Sequence, residues 1–312
     1  GGVMKILEDY FLSSDNKTNI HMVEFVPDTQ VIGIIQVIHG VTEHIMRYKD
    51  FAEYFTGLGY LVVGIDLIGH GLSTNNGSIK MYFGREGSFN YVVEDVNTCL
   101  KMTKEKYSNV PYYILGFSLG SFVLREHLIK YPGSITGAII VGTGMTSPFL
   151  LSMVRNVAVS EGKKNGEENT TPKIKELTFG TYNKKFMPNK TDFDWLLKDE
   201  GALNAYIHDS LRGGALSAGL FREMLSAMIF TAKKKNISKM NKNTRILLLS
   251  GADDPVGDFK KGVIKTYNAF SKAGIVDLKY KIYDGLRHDI LHELDRLVIY
   301  NDINNWIDKK DI

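Results

Sequence analysis

One serine in this sequence stands where a nucleophile would be placed. The apolar run Tyr112–Leu115 leads into Gly116-Phe117-Ser118-Leu119-Gly120, and the residues that follow have helical spacing. This pattern predicts a tight strand-to-helix turn, whose crowded backbone requires glycine on either side of the central residue. Such a turn lifts the hydroxyl of Ser118 clear of the sheet and presents the backbone N–H of Leu119 at a helix N-terminus. Ser118 is therefore the predicted nucleophile, and Leu119 is a predicted oxyanion donor.

An acid and a base follow this serine in the order that a catalytic triad needs. Asp253 and Asp254 come directly after one apolar run, and His288 comes after the next. Because parallel strands end at the same edge of a sheet, these side chains are expected to meet Ser118 there. His288 would take the proton of Ser118 and return it to the leaving group, while a buried aspartate fixes the tautomer of the imidazole. On these grounds Asp253, Asp254 and the nearby Asp258 are all candidates for the acid.

A pair of histidines admits a different chemistry. His292 follows His288 by four residues, and His-x-x-x-His on a helix can bind zinc. The residue after His288 is Asp289 rather than the glutamate of the zinc motif, and no third ligand is evident. We therefore predict no metal site, and we place His292 on the helix that follows.

The elements that would position these residues alternate along the chain. Continuous apolar runs predict strands at 19–26, 32–40, 60–71, 112–115, 137–144, 245–255 and 277–285. Helical spacing predicts helices between them, at 46–60, at 92–107, after Ser118, through Tyr267 and Phe270, and near Trp306. Apolar strands that alternate with helices are typical of an α/β fold: a mostly parallel central sheet with helices on both faces.

Residues 146–243 interrupt this alternation. They contain helical patterns and the polar stretch EGKKNGEENTTP, but no clear strand. We interpret 1–145 and 244–312 as one core, and 146–243 as a helical cap inserted between two late strands. Apolar residues at helical spacing in the cap predict a pocket for a flexible acyl chain. The predicted pocket residues are Leu150, Met153, Phe221, Met224 and Leu225.

Further motifs give the chain a family resemblance. It resembles the α/β-hydrolase superfamily, and within it the monoacylglycerol lipase and lysophospholipase-like branch, in VIHGVTEHIMRY, DLIGHGLS, GFSLGS, LSGADDPVGDFKKGV and YDGLRHDILHEL. Two cap segments, FGTYNKKF and FDWLLKDEGALNAYIHD, resemble the insertion of a bacterial subgroup of that branch. The segment SLRGGALSAG differs, because a Cys-Gly-Phe-like segment is expected in its place.

The resemblance implies roles that spacing alone leaves open. It favours Asp254, the aspartate before Pro255, as the acid. It also implies that the backbone N–H of Val41 is the second oxyanion donor and that His39 hydrogen-bonds within its own loop. Polar residues of the same segments would form a scaffold around the site: Glu43, His44, Arg47, Asp66, His70 and Ser73.

Composition limits the other classes of function. The chain has 312 residues, of which 44% are hydrophobic and 23% charged, and its formal net charge is +3. So small a net charge does not indicate binding to nucleic acid. No apolar stretch approaches the roughly 18 residues of a membrane helix. The single cysteine, Cys99, and the lack of a signal pattern predict a cytoplasmic protein. Gly1 and Gly2 look like a remnant of cloning.

The sequence therefore predicts a serine hydrolase that cleaves carboxylic esters through an acyl-enzyme and needs no cofactor. The resemblance implies monoacylglycerols or lysophospholipids as substrates, and the methionines and leucines of the cap suit an acyl chain. The main alternative is an aminopeptidase or amidase on the same fold, although no acidic cluster is evident for gripping an amino terminus. More remote alternatives are a non-catalytic binding protein and a metallohydrolase that uses His288 and His292.

Overall fold

Eight strands form one sheet in the computed structural model, which describes residues 3–312; the interpretation of Gly1 and Gly2 lies outside that range. The strands are β1 (Lys5–Leu12), β2 (Asn19–Val26), β3 (Gly33–Ile38), β4 (Tyr60–Ile65), β5 (Tyr112–Phe117), β6 (Gly137–Val141), β7 (Arg245–Gly251) and β8 (Leu278–Tyr283). They are ordered β1-β2-β4-β3-β5-β6-β7-β8. Strand β2 runs antiparallel to both of its neighbours, β1 and β4, and all the other pairs are parallel, which confirms the predicted sheet.

Helices cover both faces of this sheet. Five helices of the core alternate with the strands along the chain: α1 (Lys49–Thr56), α2 (Phe89–Lys106), α3 (Leu119–Lys130), α9 (Lys261–Lys272) and α10 (Arg296–Ile307). Alternate residues of β3 show the two layers: Ile34 and Ile38 pack with α2 and α3, whereas Ile35 and Val37 pack with α1 and α10. Because successive side chains point to opposite faces and both faces are buried, the strand is continuously apolar.

A cap of helices lies between β6 and β7. Its elements are α4 (Pro148–Asn165), α5 (Pro172–Phe179), α6 (Glu200–Ile207), α7 (Ala218–Ala232) and α8 (Lys234–Ile237). The strands that flank it pair directly with each other, so the cap leaves the sheet after β6 and returns at β7. Helix α7 packs on α4 and α3, and a small aromatic and leucine cluster forms within the segment Trp195–Tyr206. No helix in residues 3–312 combines the length and apolarity needed to cross a membrane.

Three local features differ from the sequence-based expectation. Strand β1 was not predicted, because it lies at the edge of the sheet and its residues are half-buried or exposed without alternation. Helix α2 begins at Phe89 rather than Val92, because the carboxylate of Glu223 in the cap accepts a 2.9 Å hydrogen bond from Phe89 N. His292 does not lie on a helix; it belongs to the loop that precedes α10, where side-chain contacts rather than a helical ladder hold the backbone.

Candidate active site

Ser118 occupies a strained turn between β5 and α3. Its backbone angles are φ 54° and ψ −116°, in a region that residues with a side chain rarely adopt. The glycines on either side have no room for a side chain: a Cβ on Gly116 would lie 2.3 Å from the carbonyl oxygen of Gly120, and one on Gly120 would lie 2.1 Å from that of Ile38. Such strain persists only where the surroundings enforce it, and here it leaves the serine side chain partly exposed.

A continuous hydrogen-bonded chain links this serine to a histidine and an aspartate. Nε2 of His288 lies 2.9 Å from Oγ of Ser118, and Nδ1 lies 2.8 Å from Oδ2 of Asp254. His288 follows β8 and Asp254 follows β7, so both stand at the edge of the sheet where β5 ends. The other carboxylate oxygen of Asp254 accepts a hydrogen bond from Val256 N at 2.8 Å. Asp254 is fully buried, whereas its neighbour Asp253 is exposed.

The imidazole of His288 is held between a core ring and a cap ring. Its centroid is 4.9 Å from that of Phe117, beside the serine, and 5.3 Å from that of Trp195. The cap also binds the backbone of the histidine loop, because Trp195 O accepts from His288 N at 3.4 Å and Leu196 O accepts from Asp289 N at 2.8 Å. The ring and its loop are therefore held from two sides, by Phe117 at the end of β5 and by the segment Trp195–Leu196.

The loop after β3 lies on the other side of the serine. His39 is fully buried there; Leu67 N donates to its Nε2 at 3.0 Å, so its Nδ1 carries the proton and donates to Gly40 O at 2.6 Å. Burial lowers the pKa of His39, which agrees with a neutral ring that braces the loop. Val41 and Leu119, the two expected oxyanion donors, both line the cavity above Ser118.

Glu43 connects this loop to the loop that carries the histidine. Its carboxylate accepts hydrogen bonds from Gly40 N at 2.6 Å and from Tyr48 Oη at 2.8 Å, and it pairs with Arg47 at 2.7 Å. Arg47 also pairs with Asp289 at 3.4 Å, next to His288 in sequence. Burial alone would raise the pKa of Asp289, but His292 and Arg47 outweigh it and hold that pKa at about 2.

The remaining polar residues of the family segments stabilise neighbouring turns. Asp66 accepts from Ile45 N at 2.8 Å and from Leu72 N at 2.9 Å, so it joins the loops after β3 and β4. Ser73 Oγ donates to Asp66 O at 2.6 Å, and His70 lies buried beside them. His44 pairs with Asp209 of the cap at 2.7 Å.

The cavity at Ser118 has a volume of about 70 Å³ and a mostly apolar wall. Of the five predicted pocket residues, the structure places only Met224 in this wall, and Met228, four positions later on α7, joins it. Phe221 and Leu225 share the face of α7 that carries Met224 and Met228, but they do not line the cavity and are buried in the same hydrophobic cluster. Leu150 and Met153 lie on the outer face of α4, each 54% exposed. Helical spacing identified the apolar residues of the cap, but not which of them reach the cavity.

Several residues around the cavity were not singled out in the sequence. They come from the cap and from the loop after β3, and they include Thr42, Tyr182, Trp195 and Tyr206. The segment FDWLLKDEGALNAYIHD, which contains Trp195 and Tyr206, was noted only for its resemblance, and nothing local marks these rings as neighbours of His288. Across residues 3–312 there is no cluster of three or more His, Cys, Asp or Glu side chains arranged to hold a metal ion.

Known proteins similar to this chain carry related hydrolase names. A family model described as serine aminopeptidase, S33, matches residues 29–295. The monoacylglycerol lipase of Mycolicibacterium smegmatis is 25% identical over 285 residues, which cover 90% of this chain and 90% of that protein. The human monoglyceride lipase is 26% identical over 284 residues, with 89% and 82% covered. Phospholipase YtpA of Bacillus subtilis is 27% identical over 285 residues, with 89% and 96% covered.

A solved structure extends the similarity to the cap. The thermostable carboxyl esterase of Bacillus coagulans superposes with a TM-score of 0.89 at 25% identity, over 98% of this chain and 99% of that one. The fold, the order of the candidate catalytic residues and the family match all agree with the resemblance first given by the motifs. The chain belongs to the serine aminopeptidase S33 family, in the monoacylglycerol-lipase-like branch of the α/β-hydrolases.

Proposed function

We propose that this protein is a serine hydrolase of carboxylic esters, with Ser118 as nucleophile, His288 as general base and Asp254 as the acid that orients it. The observation that carries the proposal is the unbroken chain from Asp254 Oδ2 through the imidazole to Ser118 Oγ, with separations of 2.8 and 2.9 Å. It ends on a residue held at a positive φ of 54°. Strain, burial and alignment together favour a reactive serine over a turn serine.

The reaction proceeds in two transfers. Nε2 of His288 accepts the proton of Ser118 as Oγ attacks the ester carbonyl, and Asp254 stabilises the imidazolium through Nδ1–H. The backbone N–H groups of Val41 and Leu119 bind the oxyanion that forms. The bond to the alcohol oxygen then breaks, the alcohol leaves with the proton from His288, and the acyl group stays on Ser118. Water repeats the sequence, releasing the carboxylic acid and restoring the serine.

The substrate that fits best has an acyl chain. Phe122, Met224 and Met228 give the cavity an apolar wall next to Ser118, and methionine adapts to flexible hydrocarbon. The similarity to a monoacylglycerol lipase, a monoglyceride lipase and a phospholipase supports monoacylglycerols or lysophospholipids as the class. A cytoplasmic site of action is part of this proposal and rests on the single, buried Cys99.

An aminopeptidase activity is less well supported, despite the description of the family. Among the described residues that line the cavity, Glu43 supplies the only carboxylate. Both of its oxygens are already engaged, by Arg47 on one side and by Gly40 N and Tyr48 Oη on the other. A substrate ammonium would therefore find no free anion beside Ser118.

A panel of substrates tests the proposal. Nitrophenyl and glyceryl esters of increasing chain length should be hydrolysed, and aminoacyl amides should be turned over more slowly than the best ester. Faster turnover of the amides would overturn the ester assignment. No turnover of any substrate, with no labelling by a fluorophosphonate, would favour a binding protein. Loss of activity on chelation would favour a metallohydrolase.

A further inference from the structure

A second, larger space opens beside the cavity at Ser118. This outer chamber has a volume of about 620 Å³ and is bordered by Lys175, Lys184, Asp192 and Arg212. Thr42 and Phe179 line both spaces, so the two are neighbours at the loop that carries the expected oxyanion donor Val41. A substrate whose ester lies at Ser118 can therefore extend into the outer chamber. The walls of both spaces are mostly apolar, and what distinguishes the outer chamber is the group of charged side chains on its border.

The charges of the outer chamber are unbalanced. Three cationic side chains, Lys175, Lys184 and Arg212, face one carboxylate, Asp192. Within residues 3–312 none of these three cations has a carboxylate at ion-pair distance, although other lysines of the same cap segments do, such as Lys173 with Glu176. Cations grouped around a concave surface with so little compensation attract an anion.

Arg212 is the most organised of the three cations. Its guanidinium carbon lies 5.1 Å from the ring centroid of Phe193 and 5.1 Å from that of Tyr206, so both rings restrict the side chain. Its Nη1 reaches only the carbonyl of Gly213, at 3.3 Å, and its Nε is buried without a hydrogen-bond partner. Because Nε is covered by protein, a ligand would reach the guanidinium at its terminal nitrogens, of which only Nη1 makes a hydrogen bond within residues 3–312.

We propose that the outer chamber binds a phosphate on the alcohol portion of the ester. A phosphomonoester carries a charge between −1.5 and −2 near neutral pH and three acceptor oxygens, which suits two flexible lysines and one fixed arginine. The proposal rests on the proposed ester hydrolase function and narrows its substrates: an acylglycerol phosphate should be preferred to the neutral acylglycerol. The acyl chain occupies the side of Met224, and glycerol phosphate is the alcohol that leaves through the chamber.

The first test compares two substrates with one acyl chain, 1-acylglycerol and 1-acylglycerol 3-phosphate, both held below their micellar concentrations. We expect kcat/KM to favour the phosphorylated ester by about tenfold or more at low salt, and this ratio to fall as salt is added. The double variant Lys175→Gln/Lys184→Gln should lose most of this preference for the phosphorylated ester. The matched control, Lys173→Gln/Lys185→Gln, removes the same charge from the same two segments and should keep it.

Arg212 is tested by two substitutions, because its side chain also packs on aromatic rings. Arg212→Met keeps the stem and removes the charge, and it should raise KM for the phosphorylated ester more than for the neutral one. Arg212→Lys should restore part of the preference. Equal kcat/KM for the two esters in the wild type would overturn the proposal, as would a matched control that behaves like the Lys175/Lys184 variant.

A binding measurement separates this proposal from the proposed catalytic function. Calorimetry on the Ser118→Ala variant measures binding without turnover. This variant should bind glycerol 3-phosphate more tightly than glycerol. It should also bind it more tightly than inorganic phosphate, because the glycerol portion adds contacts. Equal binding of glycerol and glycerol 3-phosphate would overturn the anion site. Equal binding of inorganic phosphate and glycerol 3-phosphate would mean a phosphate site unrelated to the alcohol, which overturns the substrate claim. If no ester is hydrolysed at all, the catalytic proposal fails. The binding measurement still shows whether the outer chamber binds glycerol 3-phosphate.

Discussion

The hydroxyl of Tyr206 in the cap lies 2.5 Å from Oγ1 of Thr42 in the loop after β3. Thr42 has a positive φ of 69°, and its carbonyl also accepts a hydrogen bond from Gly213 N at 2.7 Å. A non-glycine residue in that conformation is stable only when its surroundings hold it. Two contacts from the cap therefore hold the residue that follows the proposed oxyanion donor, Val41.

Removal of the Tyr206 hydroxyl should loosen this loop. We expect Tyr206→Phe to lower kcat by about three- to tenfold, with a smaller change in KM, because an oxyanion donor acts mainly on the transition state. Steady-state kinetics on one nitrophenyl ester measures both constants. Tyr131→Phe, which loses a 2.6 Å hydrogen bond to Glu94 away from the site, is the control and should leave kcat unchanged. The same kcat in both variants would remove Tyr206 from its positioning role.

Substitution of the proposed nucleophile should separate folding from chemistry. We expect Ser118→Ala to keep its melting temperature, because a small side chain is removed from a strained turn, and to lose several powers of ten in esterase activity. A fluorophosphonate should label the wild type covalently, as judged by mass spectrometry. Labelling that persists in Ser118→Ala would identify a different reactive serine.

The adjacent aspartates offer a matched pair of variants. We expect Asp254→Asn to reduce kcat on the order of ten-thousandfold, because the amide stabilises the wrong tautomer of His288 and no imidazolium charge. Asp253→Asn makes the same chemical change on an exposed side chain and should have little effect. Circular dichroism would show that both variants are folded. The opposite ranking would assign the acid role to Asp253.

Esters of increasing acyl-chain length should distinguish the cap residues at the cavity wall from those on the outer surface. Each methylene removed from water contributes about 0.8 kcal/mol, so kcat/KM should rise roughly fourfold per carbon until the cavity is full. Met224→Gln, at the cavity wall, should flatten this dependence without abolishing acetate hydrolysis. Met153→Gln, at a site 54% exposed, is the control and should leave the profile unchanged. A wild-type optimum at acetate would contradict a lipid substrate.

Titration of Asp95 should make the folded protein less stable as the pH rises from about 4 to about 6. Burial raises its pKa to about 6, although Ser13 Oγ and Ser14 N donate to its carboxylate at 2.6 and 2.8 Å. Since the folded state then binds this proton more tightly than the unfolded chain, the free energy of unfolding decreases as the pH rises through that window. Asp95→Asn should remove this pH dependence. It should also raise the free energy of unfolding at pH 7.5 by up to about 3 kcal/mol.

Urea unfolding at pH 4.5 and pH 7.5 measures the difference. The exposed Asp9→Asn is the control, and it should change the free energy of unfolding little at either pH. A variant at Asp95 that loses stability equally at both values would show that the carboxylate stabilises the fold while charged.

Features with local causes could be predicted from the sequence. The turn at Ser118 requires glycine at position 116 because a Cβ there would meet the carbonyl of Gly120 in the same short segment, so the motif reveals the turn even though the crowding at Gly120 itself comes from Ile38. The positions of Asp254 and His288 follow from the rule that parallel strands end at one edge, and the choice of Asp254 over Asp253 came from the family resemblance.

Features with distant causes could not be predicted in this way. The start of α2 depends on Glu223, which is 134 residues away from Phe89 in the chain. The ring that covers His288 comes from Trp195, and nothing in its own segment indicates that contact. Apolar periodicity on α7 has the same limit, since Met224 and Phe221 are both apolar and only the packing of the whole cap decides which one meets the cavity.

The attachment of the histidine loop to the carbonyls of Trp195 and Leu196 has a consequence for protein engineering and for evolution of the family. A cap exchanged for that of another hydrolase would alter the selectivity of the enzyme, but it would also remove the backbone partners of His288 and Asp289. A working chimaera therefore has to keep the Trp195–Leu196 segment with the core and exchange only the helices outside it. Natural diversification of the cap should be under the same constraint, with freely varying outer helices around a short segment that changes only together with the catalytic loop.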